Sequence, residues 1–261
     1  MGAMRTALFR FYRATQSVLV PGLQNSQAVY RDLLAAYVNP NTTWLDLGCG
    51  HQLFPEWLPS AREDEAALVA RCKSIIGIDY DSRALQDHDA IRKKVRGNIQ
   101  QLPFPDGSFD LVTANVVVEH VEDPQALLIG IHRVLRPGGV FLFHTPNLLG
   151  YATLLACLIP RRLKLKLIQF LQGRKEEDVF PAHYRLNTST AIRTLAERTG
   201  FRVSRFKYEE SSAQMVMLGP LVVAELLWIR LLRLGWLRNL RTNILAVLEK
   251  AQPADGTPTA G

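Results

Sequence analysis

Strand-type and helix-type hydrophobic patterns alternate along residues 41–147 of this chain. "TTWLDL" (42–47), "SIIGID" (74–79), "FDLVTAN" (109–115) and "VFLFHT" (140–145) are short, mostly apolar runs, as buried strands require. "KVRGN" (94–98) fits a further short strand. Between them, "AREDEAALVARC" (61–72), "SRALQDHDAIRKK" (82–94) and "DPQALLIGIHRVLRPGG" (123–139) predict helices, the last closed by Pro137-Gly138-Gly139. Strands alternating with helices imply parallel crossovers and a doubly wound α/β sheet. In such sheets ligands sit beyond the carboxyl ends of the strands. That rule selects Asp46 to Gln52, Asp79, Asn98, Asn115 and Thr145 to Asn147.

The flanks read differently. Residues 5–38 predict one or two amphipathic helices broken at "VPG" (20–22), and "NPN" (39–41) turns into the first strand. "TSTAIRTLAERTGF" (188–201) predicts a helix opened by a Ser/Thr cap. "FRVSRFKYEE" (201–210) and "AQMVMLG" (213–219) are expected to close the sheet, bringing it to seven strands, mainly parallel. The expected organisation is an N-terminal helical cover (1–40) and a central domain (41–219) with an insert at 148–180. C-terminal amphipathic helices (220–250) and a disordered tail (251–261) follow.

Composition adds little until charge is located. The chain has 261 residues, 48% of them hydrophobic and 21% charged, enough for one elaborated globular domain. Three scattered cysteines suggest neither a metal spacing nor a disulfide framework, so a reducing cytoplasm is the default. Arginines at 5, 10 and 13 break any signal-peptide core, and "MGAM" reads as an added stretch ahead of a start at Met4. The net charge of +7 is concentrated: Arg161, Arg162, Lys164, Lys166, Arg174 and Lys175 occur between residues 148 and 175 with no acid among them. A local charge calls for a local partner.

In "WLDLGCGHQL" (44–53), glycines after a first strand let backbone N–H groups approach a ligand. An acid ending the second strand, Asp79, can accept both hydroxyls of a ribose. Together they suggest an adenosine-containing cofactor, against the alternative that Gly48 and Gly50 merely make a tight turn. The fuller G-x-G-x-x-G that cradles a pyrophosphate is missing its third glycine, which counts against a nicotinamide oxidoreductase.

"LDLGCG", "IIGIDYD", "GNIQQLPFPDGSFDLV", "VVVEHVEDP" and "VLRPGGVFLFHTPN" follow in this order. Their sequence and spacing resemble a class I S-adenosylmethionine-dependent methyltransferase of the group that modifies small molecules, with its Rossmann-like fold. The resemblance covers roughly residues 40–147, and "HYRLNTSTAIRTLAERTGF" more loosely. It implies S-adenosylmethionine as cofactor and S-adenosylhomocysteine as product. Asp46, Gly48, Cys49 and Gly50 correspond to the loop on the methionine part, Asp79 to the ribose acid, and Tyr80 to the position packing on adenine. Asn98 stands where many members carry an Asp for the adenine amino group, and Ile99 lines that pocket. Asn115 offers a backbone carbonyl to the methionine ammonium, and His120 shapes the cofactor pocket. Gln52, in place of the third glycine, and Asn98 are departures from the pattern.

Displacement at a sulfonium methyl needs alignment and exclusion of water, and a general base only when the nucleophile holds its proton tightly. His183 and His144 are the candidate catalytic residues, and Asn147, Tyr184 and Arg185 the candidate acceptor-binding ones. For His144 a packing role, and for His183 a surface-loop role, are the alternatives. Some quinone-directed members hold a metal at Glu-x-x-Glu-His; Val116 fills the first position here, so no metal is expected. "NVVVEH" replaces the Asn/Asp-Pro-Pro-Tyr of nucleobase-amino methyltransferases, which counts against a nucleic-acid partner.

The expected acceptor is a small molecule, apolar or lipid-linked. Leucines interleaved with cations at 148–175 and 220–250 are too short or too charged to span a bilayer, but suit an anionic membrane surface. On a continuous helix Arg230, Arg233, Arg238 and Arg241 fall within roughly 140°, with Trp228 and Trp236 as interfacial anchors. Packing on the domain or in a homodimer is the alternative. The expected location is cytoplasmic, peripheral at a membrane. A second functional reading is a non-catalytic scaffold that keeps the fold.

Overall fold

A computed structural model describes residues 2–158 and 181–252. Seven strands form one sheet: β1 (Thr43–Leu47), β2 (Ser74–Asp79), β3 (Lys93–Arg96), β4 (Phe109–Asn115), β5 (Leu135–Pro146), β6 (Phe201–Glu209) and β7 (Asn243–Lys250). Their order is β3-β2-β1-β4-β5-β7-β6. The first five are parallel, and β7 is inserted antiparallel between β5 and β6. This is the doubly wound, mainly parallel sheet expected from the pattern.

The strand period of two divides the core. Leu45 and Leu47 of β1, Val112 and Ala114 of β4, and Phe141 and Phe143 of β5 face one side. There they meet α5 (Pro124–Val134) and α7 (Ser189–Arg198) through Leu127, Leu128, Ile131 and Ile192. Trp44, Leu111 and Leu142 face the other side, under α2 (Ser26–Ala35), α3 (Ala61–Arg71) and α4 (Ser82–Asp87). Asn25 caps α2 by accepting from the Gln27 N–H at 2.8 Å; Asp123 and Pro124 start α5, and Thr188 caps α7.

A third cluster joins α1 (Gly2–Leu19), α6 (Tyr151–Leu158) and α8 (Leu221–Leu231) beside the sheet. Tyr12, Val20, Ala213, Val216, Val222, Leu226 and Ile229 are its buried members.

The C-terminal expectations need correction. Residues 213–219 are not a strand: Ala213 and Val216 turn into the third cluster, Val216–Leu218 is a 3-10 turn, and Gly219 ends it at φ +58°. The seventh strand comes instead from 243–250, read above as part of a helical run. Lying between two strands and covered on both faces, β7 is buried at every position from Asn243 to Leu248, so it shows no alternation. The arginine stripe is broken as well. α8 ends at Leu231, and Arg238 lies on a separate 3-10 turn, Gly235–Leu240. The basic insert falls largely at 159–180, outside the described residues.

Candidate active site

The site is built where β1, β2 and β4 end. Gly48 and Gly50 both adopt left-handed backbone, φ +61° and +55°. The Gly48 N–H donates to the Ile78 carbonyl (2.7 Å), and the Gly50 N–H donates to Oδ2 of Asp79 (2.8 Å). Asp79 Oδ1 accepts from the Asp81 N–H at 2.8 Å. The loop after the first strand is thus pinned to the acid ending the second. The two glycines are required for different reasons. A Cβ on Gly48 would stand 2.6 Å from Cγ2 of Val117, whereas one on Gly50 would meet nothing within 4 Å. Gly50 therefore borders open space beside a carboxylate that keeps unused lone pairs.

Cys49 between them is buried, its Sγ packed against Gly77, and burial pushes its thiol well above the usual range. Only its backbone belongs to the loop surface. Tyr80 is 71% exposed, with the Arg96 guanidinium 5.8 Å from its ring centroid. Asn98 is exposed and turns its own chain, Oδ1 accepting from the Gln100 N–H (2.9 Å). Ile99 is half-buried against the core.

On the sheet face under α2, the strand period brings together Trp44, Asp46, Thr113, Asn115 and His144. Trp44 Nε1 donates to Oγ1 of Thr113 (2.6 Å), and that hydroxyl donates to Oδ1 of Asp46 (2.5 Å). Burial pushes the Asp46 carboxyl up to about 7; the Thr113 hydrogen bond opposes this, while Glu65 and Asp79 add to it. Asn115 has every side-chain position filled. Its Oδ1 accepts from Gln27 Nε2 (3.1 Å) and faces His144 Nδ1 (2.9 Å); its Nδ2 donates to Gln27 Oε1 (2.9 Å) and the Leu53 carbonyl (3.2 Å). Its side chain is structural, which leaves its backbone for a ligand.

His144, read as a candidate base, belongs to the same polar frame. It is buried, stacked on Tyr30 at 5.8 Å, and desolvation pushes it down to about 4. An amide oxygen only accepts, so Nδ1 carries the proton and is committed to Asn115. Val116, next along, holds φ +60°, a strained value for a β-branched residue at the mouth of the site.

The other rim of the site is organised by Glu119, which the sequence reading passed over. Its backbone carbonyl accepts the N–H groups of His183 (2.7 Å) and Tyr184 (3.1 Å), the latter at φ +53°. Its buried carboxyl accepts from the Thr145 hydroxyl (3.0 Å), which in turn accepts from Asn187 Nδ2 (2.7 Å). Burial raises the Glu119 carboxyl above its usual range. His183 Nε2 lies 3.6 Å from Glu122, Arg185 donates to the Glu122 carbonyl (2.7 Å), and His120 Nδ1 lies 2.8 Å from the Pro181 carbonyl. Asn147 is brought elsewhere. Buried, its Nδ2 donates to the carbonyls of Asn239 (2.8 Å) and Arg241 (2.7 Å), so it fastens the turn before β7.

Residues 45–143 match the family described as a methyltransferase domain. Over 162 residues, 61% of this chain and 51% of the relative, the sequence is 33% identical to a protein of Mycolicibacterium smegmatis named "Probable S-adenosylmethionine-dependent methyltransferase/". Residues 45–143 are therefore similar to the S-adenosylmethionine-dependent methyltransferases. The match runs from β1 into β5, so it takes in the glycine loop, Asp79 and Asn115, while His144 and the 183–187 rim lie beyond it.

A malonyl-[acyl-carrier protein] O-methyltransferase of Serratia marcescens is 33% identical over 111 residues, 41% of this chain and 39% of that protein. The chain thus spans about half, or less, of the length of these curated relatives. A methyltransferase crystal structure from Methanosarcina mazei shares the fold at TM-score 0.54 and 19% identity, covering 85% of this chain and 98% of that one. The cofactor that goes with the domain is S-adenosylmethionine. The residues present fit it: a glycine cradle opens at Gly50, and a carboxylate with spare acceptor capacity lies beside it.

Proposed function

We propose that the protein is an enzyme that methylates a small-molecule acceptor, on an oxygen or similar nucleophile, and that the acceptor is apolar or lipid-linked and met at a membrane surface. The observation that carries the methyl-transfer reading is the Gly48–Gly50 loop tied to Asp79 with open space at Gly50. Asp46, Gly48, Gly50, the Cys49 and Asn115 backbones, Asp79, Tyr80, Asn98, Ile99 and His120 would hold the cofactor. When bound, S-adenosylmethionine supplies an electrophilic methyl on a sulfonium, leaving as S-adenosylhomocysteine.

The chain's residues then align the nucleophile and keep water out. Tyr184 and Arg185 would contact the acceptor. His183, partly exposed beside Glu122, is the residue to take a proton from a hydroxyl acceptor. Exposed Val116 and Leu149, which follow the carboxyl ends of β4 and β5, support an apolar acceptor, as does the carrier-linked acceptor named for the Serratia relative.

The test is incubation of the protein with methyl-labelled S-adenosylmethionine and fractionated polar and lipid extracts. Label recovered in an apolar or carrier-linked fraction is expected. Cofactor binding with no label in any fraction would favour the scaffold reading instead.

A further inference from the structure

Helix α8 is apolar on two opposite sides. Val222, Leu226 and Ile229 are buried in the third cluster, as an amphipathic surface helix requires. The opposite side should be polar. Instead, at 100° per residue, it carries Ala224, Leu227 and Leu231, and the two leucines are 46% and 48% exposed. Helix α1 repeats the anomaly. Tyr12 faces inward, while Met4, Ala7, Phe11, Ala14 and Val18, spaced three or four apart, form an outward stripe. Val18 is 75% exposed. Helix α6 has no charged residue and ends on Leu158, which is 79% exposed. All three helices meet in one cluster, Tyr151 of α6 donating to Glu225 of α8 at 2.9 Å.

Charge says what covers this surface. Helix α1 carries Arg5, Arg10 and Arg13 and no acid. In α8 the one acid, Glu225, is buried and accepts from Tyr151, Gln214 and Met215. Arg230, Arg233 and Arg238 are exposed on and just after α8, next to Trp236, which is 75% exposed. Beyond Trp236, a cavity of about 790 Å³ gathers Arg193, Lys207, Arg238 and Arg241 against one carboxylate, Glu209. A second copy seated here by two-fold symmetry would bring arginines against arginines. An anionic lipid surface would take both the leucines and the arginines, with Trp236 at the headgroup level.

We infer that the outward faces of α1, α6 and α8 form a docking surface for anionic membranes. The inference deepens the membrane-surface part of the proposed function and rests on it. No described helix is long and apolar enough to cross a bilayer, so the contact is interfacial.

The test is co-sedimentation of the full chain with phosphatidylcholine vesicles, with and without phosphatidylglycerol, at low and high salt. Binding is expected only to the anionic vesicles, weakening as salt rises. A Leu227→Glu/Leu231→Glu variant, or separately Phe11→Glu/Val18→Glu, should lower the bound fraction about tenfold or more. Both pairs point outward, so titration with S-adenosylhomocysteine should be unchanged; this separates loss of docking from loss of the fold or of the methyltransferase reading. No binding to anionic vesicles, or binding unchanged in both variants, overturns the inference. So does a dimer that the leucine substitutions dissociate without any vesicle binding.

Discussion

Gln27 and Asn115 exchange two side-chain hydrogen bonds, 2.9 and 3.1 Å, between the first turn of α2 and the carboxyl end of β4. This amide pair latches a helix from the N-terminal region onto the strand end where the cofactor's methionine part is expected. It also fixes Asn115 so that only its backbone faces the site.

Gln27→Ala removes one of the two hydrogen bonds on each polar group of the Asn115 side chain. The expected cost is about 1–3 kcal/mol of stability, with weaker S-adenosylhomocysteine binding because the strand end loosens. Urea unfolding and calorimetry on the same variant check both. Unchanged affinity would show that the latch does not shape the pocket.

Gly48→Ala and Gly50→Ala should fail in different ways. At Gly48 the new Cβ overlaps Val117 and the backbone is left-handed, so a loss of about 2–4 kcal/mol in stability is expected, partly restored by Val117→Ala. At Gly50 only the left-handed strain, about 1–2 kcal/mol, acts on the fold. Its Cβ instead enters the space assigned to the cofactor, so affinity should fall about tenfold or more, some 1.4 kcal/mol. Equal effects of the two variants on binding would contradict this division. Gln52, whose side chain makes no described hydrogen bond, should tolerate Gln52→Gly within about tenfold in affinity.

Asp46 gives the fold a pH dependence of definite sign. Its folded pKa, about 7, lies above the ordinary 3.8, so the folded state holds the proton more tightly than the unfolded chain. The stability it contributes is complete below about pH 4 and lost as pH rises through about 7. Asp46→Asn keeps an acceptor for Thr113 and should flatten the fall in urea midpoint between about pH 4 and 7. Some slope should remain, because burial also pushes Glu210 up to about 7. An unaltered slope in Asp46→Asn would rule out Asp46 as its source.

His144→Gln separates a positioning role from a chemical one. The ring is neutral above about pH 4 and holds Asn115, so its loss should cost about 1–3 kcal/mol in stability. The pH profile of methyl transfer should keep its shape. A shifted acidic limb would make His144 the base.

The cofactor side of the site was legible because its chemistry is local. Gly48, Gly50 and Asp79 announce themselves at strand ends, where glycine and acid interrupt apolar runs. The buried polar frame was not. Thr113 sits inside an apolar strand, and its bonds to Trp44 and Asp46 appear only once β1 and β4 pair in register. Gln27 and Asn115 are 88 residues apart, and no periodicity links them. Glu119 was hidden in a recognised segment, although a carboxyl between Val118 and His120 was a signal of a buried acid. The strand at 243–250 was misread because an apolar run covered on both faces has no period, and it follows a helical run without a glycine or proline between Arg238 and Asn243. The unbroken "RNLRTN" gave no punctuation.

The central claim is that the Gly48–Gly50 loop and Asp79 hold an adenosyl cofactor. Calorimetric titration of S-adenosylhomocysteine into the full chain, beside Asp79→Ala, tests it most directly. The expected result is micromolar binding, about −8 kcal/mol, weakened about a hundredfold, some 2.7 kcal/mol, in the variant. Absence of heat and of thermal stabilisation in the parent chain, or equal binding by Asp79→Ala, would contradict it.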